Sequence, residues 1–396
     1  MTPSPTAPAH PDGRVKVLHL ITRLIVGGAQ DNTLLTAELH DRARYEVHVA
    51  SGPSGDLVER ARSVADAFHP IPHLANPIAP VADARALAEI VALLRRERYD
   101  VVHTHSSKAG TLGRLAGRLA GVPAVVHTIH GSPFHPHQPR WKRALYVGIE
   151  RGARRLADAI LTLSDSDRLE FTERRIVDAG RSQTVYTGMA PERLVPTAGV
   201  DPAATRAALG VPEGGTLVLS VGRHDRQKAP DLLVRAFARV APSRPGVVLA
   251  MAGDGPIRDE IEALAATLGV ADRIRFLGTR SDVPDLLAAA DIFSFTSVRE
   301  AMGRAMLEAM LAQLPVVVPR TSGIPEAAHH GETGRLFEVG DVGGIADNLL
   351  YLIDRPEERL RLGRAARTLV LNQFDAHTMV DAIEALYERL LAQKGS

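Results

Sequence analysis

The sequence predicts an α/β protein made of two domains, each with a doubly wound parallel sheet. From Val15 onward, short runs rich in β-branched residues alternate with segments of helical period, which is typical of βα units. The chain has 396 residues, more than a usual single domain, so two domains are expected. With 45% hydrophobic and 23% charged residues, each half can bury a core of its own.

The two halves divide at a proline-rich segment. Residues 188–215 carry four prolines and only one short helical run, which favours an interdomain connection. We therefore expect an amino-terminal domain at 15–190, completed by the last helix within 376–396, and a carboxyl-terminal domain at 191–375. Residues 1–14 are rich in Pro, Ala and Thr and are expected to form a disordered leader without the features of a signal peptide.

Twelve strands are predicted, six in each half. Those of the first half lie at 15–21, 45–51, 101–105, 124–130, 159–164 and 184–187, and those of the second at 216–222, 247–253, 274–278, 292–297, 315–320 and 335–339. Ligands of open α/β sheets bind beyond the carboxyl ends of the strands. The residues that follow each strand are therefore the candidates for function.

Composition excludes several classes of function. The formal net charge is +1, which gives no reason to expect a nucleic-acid partner. The absence of cysteine excludes disulfides and thiol catalysis and fits a reducing compartment, with the cytoplasm as the default. No apolar run reaches the ~18 residues that a membrane span needs, so any membrane contact is expected to be peripheral.

Two carboxylates flank a predicted anion site in the second half. Glu300 follows a strand, Gly303 lies in a short loop, and Glu308 falls in the second turn of a helix that is predicted to begin at Arg304. The first turn of a helix has N–H groups without intrahelical partners, and its dipole attracts anions. A ligand with phosphate in its middle and hydroxyls at both ends would suit this arrangement.

A second charged segment follows another strand of the same half. Arg223 and Lys228 lie between that strand and a helix with Pro230 in its first turn. Both side chains can reach one phosphate, Arg as a planar fork and Lys as a point charge. A solvated loop would explain these charges equally well if the segment stood alone.

Glycines mark two further strand ends. Gly27 and Gly28 follow the first strand and permit close approach of backbone to a ligand, although such a turn can also be purely structural. Thr279 and Arg280 follow a strand in the second half and are candidates for contacts with a nucleotide base.

Histidines recur at the third and fourth strands, as His103, His105, His127 and His130. No helical metal motif or carboxylate pair accompanies them, so a metal site is not expected. His130 ends its strand, where its side chain can face a cleft; a histidine held by loop hydrogen bonds is the alternative. Asp165 and Asp167 suggest manganese, but Ser164 and Asp165 follow a strand and precede a helix, which favours capping of N–H groups.

The segment from Trp141 to Leu156 predicts an amphipathic helix with a basic side. Contact with anionic lipid is one interpretation. A surface helix whose apolar face packs on the core is the other, and the sequence leaves both open.

The ordered set of these motifs resembles the retaining glycosyltransferases of family 4. The resemblance covers nearly the whole chain after residue 15 and rests on the glycines at 27–28, Gly222-Arg223 with Lys228, and Glu300 with Glu308. Such enzymes have the GT-B fold, in which two Rossmann-like domains flank a cleft. The motifs His130-Gly131, 253–255, 323–326 and 331–334 occur in the expected order.

The resemblance implies a role for each candidate residue. Arg223 and Lys228 would hold the donor diphosphate, and Glu308 the ribose. Glu300 and the backbone of Ala301, Met302 and Gly303 would hold the transferred sugar and phosphate, next to Arg304, while Gly27 and Gly28 would approach the phosphates and His130 the sugar. Thr279 and Arg280 would contact the base.

The same resemblance implies retention of anomeric configuration, a UDP-sugar rather than GDP-sugar donor, and no metal or other cofactor. The acceptor would be a glycan, a lipid-linked or a small-molecule hydroxyl, as in bacterial capsular and exopolysaccharide synthesis, and the protein would be cytoplasmic with peripheral membrane contact. The sugar would be a hexose or an N-acetylhexosamine. The alternatives are a GT-B nucleotide-sugar epimerase and a non-catalytic two-domain sugar-binding protein.

Two residues depart from the family pattern. Met302 stands where the family usually has Phe, which puts sugar selectivity in doubt. Gln313 stands at a usual Gly position just after a helix, where left-handed backbone favours Gly, so local strain or an altered helix end is expected there.

Overall fold

A computed structural model describes residues 13–76, 78–132 and 139–395. The expected leader at 1–14 lies outside these ranges apart from Gly13 and Arg14. The chain forms two compact units. Unit 1 comprises the chain up to Gly188 and again from Ala376, and unit 2 comprises Met189–Asp375, where the sequence placed the boundaries at 190/191 and 375/376.

Each unit contains one sheet, and its strands are parallel. Unit 1 has β1 (Val15–Leu20), β2 (Tyr45–Ser51), β3 (Ala67–Pro70), β4 (Val101–His105), β5 (Ala124–Ile129), β6 (Ala159–Thr162) and β7 (Ser182–Thr184). Unit 2 has β8 (Thr216–Val221), β9 (Val247–Ala252), β10 (Ile274–Gly278), β11 (Ile292–Ser294), β12 (Val316–Pro319) and β13 (Gly334–Phe337). Among the described residues the spatial orders are 3-2-1-4-5-6-7 and 10-9-8-11-12-13.

The direction of winding reverses once in each sheet. In unit 1 the reversal lies between β1 and β4, which pair in parallel with Val17 opposite Val101. In unit 2 it lies between β8 and β11, with Ile292 opposite Val218. Doubly wound sheets bind ligands at such points, so the loops that follow these four strands are the places to look for a site.

The strand prediction was wrong at both ends of the first sheet. Residues 67–70 form an edge strand that the sequence did not predict, because the run is short and ends in proline. The last strand lies at 182–184 rather than 184–187, since its half-buried polar residues lack the apolar pattern of an inner strand.

Helices cover both faces of the two sheets. Their bounds are α1 (Gly28–Leu39), α2 (Val58–Val64), α3 (Pro80–Glu97), α4 (Ser107–Ala120), α5 (Arg140–Ala153), α6 (Asp165–Glu173), α7 (Pro202–Ala208), α8 (Pro230–Val240), α9 (Arg258–Thr267), α10 (Val283–Ala289), α11 (Arg304–Leu311), α12 (Ile324–Ala327), α13 (Val342–Ile353), α14 (Pro356–Gln373) and α15 (Ala376–Gly395).

The core of unit 1 lies on both faces of its sheet. Val17 and Leu18 belong to different buried clusters because successive strand side chains point to opposite faces. The last helix, α15, packs on the Val17 face through residues that include Ile383 and Tyr387. Each fully buried large aliphatic side chain contributes about 1.5–3 kcal/mol of transfer free energy, so α15 is an integral part of unit 1.

No helix in the described part of the chain is long and apolar enough to cross a membrane.

Candidate active site

Two loops of unit 2 come together at the reversal point of its sheet. The loop after β8 is folded by Asp225, whose carboxylate accepts hydrogen bonds from the backbone N–H groups of Gln227 and Lys228, each at 3.0 Å. The backbone carbonyl of Gln227 in turn accepts from the N–H of Val298, at 2.8 Å. This bond joins the loop after β8 to the loop after β11 and sets their side chains against each other.

Lys228 and Glu300 form an ion pair across these loops. Glu300 also accepts a hydrogen bond from the hydroxyl of Ser297, at 2.8 Å. The Lys228 side chain is 34% exposed and that of Glu300 13%, so the pair lies at the surface but is partly shielded from water. An ammonium group carries three donors, which leaves Lys228 with capacity for an anion beside Glu300.

Arg223 is the most exposed charge of this group. Its side chain is 66% exposed, and its ion-pair partner among the described residues is Asp225, at a loose 3.6 Å. A contact of this length on an exposed side chain holds the guanidinium weakly. Arg223 can therefore turn toward a phosphate at little cost.

The helix α11 begins at Arg304, as predicted. Gly303 precedes it with φ 68° and, as glycine, offers no side chain to cap the helix. A Cβ on Gly303 would lie 2.7 Å from Ile324 and 3.1 Å from Phe295, so both the backbone conformation and the space require glycine. Uncapped N–H groups of a first helical turn suit an anion.

Glu308 lies one turn into α11. Its carboxylate accepts a hydrogen bond from the Nε of Arg304, at 3.2 Å, and both side chains are largely buried. The pair follows the i, i+4 spacing that brings helical neighbours together. Arg304 thus positions the Glu308 carboxylate, a contact that the sequence reasoning did not identify.

The remaining predicted donor contacts of unit 2 differ in exposure. Met302 is 2% exposed, so its side chain lies in the core and does not line an open surface. Thr279 and Arg280 are exposed after β10. The pKa of Arg280 is raised by its hydrogen bonds to Asp282, so this guanidinium already has an anionic partner.

In unit 1, Gly27 and Gly28 lie where the sequence placed them, after β1. Gly27 is the N-cap of α1, where it offers no capping side chain, and Gly28 is the first residue of the helix. The nearby end of β4 is held to the β1 loop because the hydroxyls of Thr22 and Ser106 are 2.7 Å apart.

Four histidines of unit 1 form one continuous hydrogen-bonded row, here called the histidine chain: His40, His19, His105 and His130. Nε2 of His40 is 3.1 Å from Nε2 of His19, Nδ1 of His19 is 3.0 Å from Nε2 of His105, and Nδ1 of His105 is 2.8 Å from Nε2 of His130. At the other end, Nδ1 of His40 is 2.8 Å from the carboxylate of Glu384 on α15. Burial lowers the pKa of His130 to about 4.

The buried histidines are also the group nearest to a metal site among the described residues. One ligand atom of each of His19, His103 and His105 lies within 4.8 Å of the others. Both ring nitrogens of all three already have partners, since His103 contacts the hydroxyls of Tyr387 and Thr128 and the other two belong to the histidine chain. A metal would have to displace these hydrogen bonds.

The capping role predicted after β6 is confirmed for Ser164, and no helix cap by Asp165 is observed among the described residues. The hydroxyl of Ser164 accepts a hydrogen bond from the N–H of Asp167, at 3.1 Å, at the start of α6. Asp165 accepts from the hydroxyl of Thr184, at 2.6 Å, so this carboxylate serves the fold.

The basic helix α5 combines an exposed apolar end with a face packed on the core. Trp141 is 69% exposed and Leu145 46%, while the helix is held to α4 by a buried ion pair between Arg114 and Glu150, at 2.7 Å. Trp141 and Leu145 at the start of α5 thus face outward, while Val147 in its middle packs against a buried apolar cluster and the ion pair adds a polar contact.

Each unit contains a segment that matches a known protein family. Residues 202–369 match the family described as Glycosyl transferases group 1, and residues 26–193 match Glycosyltransferase Family 4. The chain is also 31% identical to the 2-deoxystreptamine glucosyltransferase of Streptomyces kanamyceticus, over 78% of this chain and 83% of that one. The chain belongs to the family 4 glycosyltransferases.

Other similar proteins agree with this assignment. The glycosyltransferase is 28% identical over 384 residues to the UDP-Gal:alpha-D-GlcNAc-diphosphoundecaprenol alpha-1,3-galactosyltransferase of Escherichia coli, over 96% of this chain and 98% of that one. Its fold matches that of the Anabaena protein HepE, solved in complex with UDP-glucose, with a TM-score of 0.81, 24% identity and coverage of 94% and 99%. Its fold is therefore GT-B.

Each candidate residue of the glycosyltransferase lies in one of the two segments that match the family models. Arg223, Lys228, Glu300 and Glu308 lie within 202–369, and His130 lies within 26–193.

A cavity of about 10 Å³ beside His103 and His105 has room for about one water molecule and is too small for a sugar.

Proposed function

We propose that the enzyme transfers a hexosyl or N-acetylhexosaminyl group from a UDP-sugar to an acceptor hydroxyl, with retention of anomeric configuration and without a metal ion. The observation that carries this proposal is the Lys228–Glu300 pair at the reversal point of the second sheet. The pair sets a cation that can bind phosphate beside a carboxylate that can accept hydrogen bonds from sugar hydroxyls. These two groups complement the phosphate and the hydroxyls of a nucleotide sugar.

The donor contacts follow from the charges and the backbone. Arg223 and Lys228 bind the diphosphate and stabilise the charge that develops on the departing UDP, a role for which each charged hydrogen bond contributes about 1.5–3 kcal/mol. The backbone N–H groups of Ala301, Met302 and Gly303 approach the sugar and phosphate. Glu308, oriented by Arg304, accepts hydrogen bonds from the ribose.

Retention is proposed to proceed by displacement on one face of the sugar. The leaving phosphate accepts the proton of the acceptor hydroxyl as the new glycosidic bond forms, so no protein nucleophile is needed. The two cations take over the part that a divalent metal plays in other transferases. Gly27 and Gly28 offer backbone to the phosphates, His130 contacts the transferred sugar, and Thr279 and Arg280 contact the base.

The acceptor is proposed to be a glycan or a lipid-linked saccharide, on the cytoplasmic side of a membrane. The name of the Escherichia coli relative specifies a lipid diphosphate acceptor, which supports a lipid-linked substrate. Exposed Trp141 and Leu145 on the basic helix α5 support peripheral contact with an anionic membrane. UDP as the nucleotide is supported by the relative's donor and by the HepE complex.

The test is a panel of UDP- and GDP-sugars, first scored by thermal shift, since a tight donor raises the unfolding temperature by mass action. Donors that bind are then assayed for transfer to lipid-linked and free saccharides, and the anomeric configuration of the product is read by NMR. Transfer from a UDP-sugar with retention is expected. An inverted product contradicts the mechanism, and a 2-epimer formed from donor alone identifies an epimerase instead.

A further inference from the structure

The histidine chain of unit 1 has a direction that its terminal carboxylate determines. Glu384 accepts hydrogen bonds from the backbone N–H of Asp41, at 3.0 Å, and from a guanidinium N–H of Arg44, at 3.4 Å. Burial raises the pKa of the Glu384 carboxyl, but the hydrogen bonds from His40 and Asp41 outweigh it, so the pKa lies below its ordinary value. The carboxylate is therefore ionised, and an ionised carboxylate only accepts hydrogen bonds.

The histidines of the chain are neutral at physiological pH. Burial, with the neighbouring histidines as smaller causes, lowers the pKa of His19 and His105 well below 6.5. Burial also lowers the pKa of His40, against the opposing effect of Glu384. A neutral imidazole has one N–H donor and one bare acceptor nitrogen. The tautomer of each ring therefore determines the tautomer of the ring to which it is hydrogen-bonded.

The assignment proceeds from Glu384 outward. Because the carboxylate accepts, Nδ1 of His40 carries a proton and Nε2 is bare. Nε2 of His19 must then donate, which leaves its Nδ1 bare. The same alternation holds at the next ring.

The alternation ends at the residue proposed to contact the sugar. Nε2 of His105 donates to His19, so Nδ1 of His105 accepts from Nε2 of His130. Nδ1 of His130 is therefore bare, and it is a buried atom without a hydrogen-bonding partner in the described structure. A buried acceptor that nothing satisfies costs stability unless a ligand supplies a donor.

We propose that Glu384, through the histidine chain, fixes His130 in the tautomer whose Nδ1 bears a lone pair, and that this atom accepts a hydrogen bond from a hydroxyl of the transferred sugar. This rests on the proposed function for the identity of the ligand. The tautomer itself is a property of the unliganded enzyme. Glu384, His40, His19 and His105 are positioning residues in this scheme.

The tautomer is measured by NMR on the full-length enzyme labelled with 15N-histidine, without substrate, with the His130 signals assigned by their loss in His130→Gln. Protonated Nε2 and bare Nδ1 are expected at neutral pH. Saturation with the UDP-sugar is expected to shift the Nδ1 signal. A protonated Nδ1, or an Nδ1 signal that donor leaves in place, overturns the proposal.

Three variants separate positioning from folding. Glu384→Ala removes the terminal acceptor, so a mixture of His130 tautomers is expected, with kcat reduced roughly 10- to 100-fold, as for other partners that orient histidines, and donor KM little changed. Glu384→Gln keeps an oxygen opposite the Asp41 N–H and should preserve the tautomer. Glu388→Ala is the matched control. Glu388 lies one turn later on α15 and pairs with Arg44, and it is not hydrogen-bonded to a residue of the histidine chain in the described structure.

The outcomes distinguish this proposal from the proposed function. If no sugar is transferred by the wild type, the tautomer is still read from the unliganded protein. If Glu384→Ala transfers as the wild type does and keeps its tautomer, positioning by Glu384 is refuted while the glycosyltransferase activity stands. Should Glu384→Ala fail to fold, the wild-type tautomer and Glu384→Gln decide the question.

Discussion

The ammonium group of Lys228 and the carboxylate of Glu300 pair although 72 positions of sequence separate them. The contact exists because β8 and β11 are neighbours in the sheet and their following loops are joined by the bond between Gln227 and Val298. In the absence of ligand, each group neutralises the other. Under the proposed function, a nucleotide sugar would replace this pairing by offering its phosphate to Lys228 and its hydroxyls to Glu300.

Lys228→Ala and Glu300→Ala are each expected to lower the transfer rate at least ~100-fold, the scale of removing a positioned electrostatic group. Steady-state kinetics, with the nucleotide sugar that the thermal-shift panel selects, measures the transfer rates. Arg226→Ala is the matched control, since Arg226 lies in the same loop but pairs with exposed Glu260, and it should transfer within about threefold of the wild type, as expected for a surface pair. Wild-type rates in both site variants would contradict the assignment.

Removal of divalent metal is expected to leave transfer unchanged, because Arg223 and Lys228 supply the charge that a metal would supply. Rates are compared in EDTA before and after addition of manganese or magnesium. Activity that disappears in EDTA and returns only with manganese would point instead to Asp165 and Asp167.

Gln313→Gly is expected to stabilise the enzyme by about 0.5–1 kcal/mol, because Gln313 adopts φ 61° where residues with a Cβ are strained and glycine is not. The expected strain is thus located in the backbone. Its N–H donates to Met310 and that of Leu314 to Ala309, the pattern of a Schellman helix end.

Urea unfolding measures the effect of Gln313→Gly, and transfer should be unaffected. The control is Gln373→Gly, at the exposed end of α14, where helical backbone makes glycine destabilising by up to about 1 kcal/mol. A loss of stability in Gln313→Gly would show that its side chain contributes more than its backbone costs.

The free energy of unfolding is expected to fall as the pH drops below about 6.5. Burial lowers the pKa of His130 to about 4, and burial together with Lys16 lowers the pKa of His48 to about 4. Unfolded histidines bind protons below about 6.5, while these two remain neutral in the folded state. Protonation therefore favours unfolding, by up to about 1.4 kcal/mol per pH unit for each such histidine between pH 6.5 and 4.

Urea titrations at pH 8, 7, 6 and 5 measure this dependence. Little contribution from these histidines is expected between pH 8 and 7, where they are neutral in both states. His48→Phe should reduce the slope below pH 6.5. An unchanged free energy of unfolding from pH 7 to 5 would contradict the buried neutral state.

Trp141→Glu and Leu145→Glu are expected to weaken binding to vesicles that contain phosphatidylglycerol, because both apolar side chains are exposed on the basic helix α5. Cosedimentation measures the bound fraction. Val81→Glu is the control, since Val81 is 70% exposed on α3, away from this helix in sequence. Equal binding by all three variants and the wild type would remove α5 from the membrane contact.

Local patterns predicted the inner strands well because these strands are buried on both faces and begin with runs of β-branched residues. The runs at Val101 and Val247 are examples, and the helix at Arg304 began where its glycine and strand predicted. The edge strands β3 and β7 were missed or misplaced because their residues are only half buried, so hydrophobic pattern does not identify them.

The candidate site was predicted in part. Arg223, Lys228, Glu300 and Glu308 were found because each follows a strand end or begins a helix and because their order resembles a family. The supporting contacts of Ser297, Asp225 and Arg304 carried no recognisable signal.

The sequence by itself determined which segments are buried strands, where helices start, and which charged residues follow strand ends, because these depend on neighbours within a few positions. Only the tertiary structure decided which strand ends meet. His40 and Glu384 lie 344 positions apart, and no periodicity or spacing relates them. They touch because α15 packs on the first sheet, and burial in that core keeps the histidines that connect to Glu384 neutral.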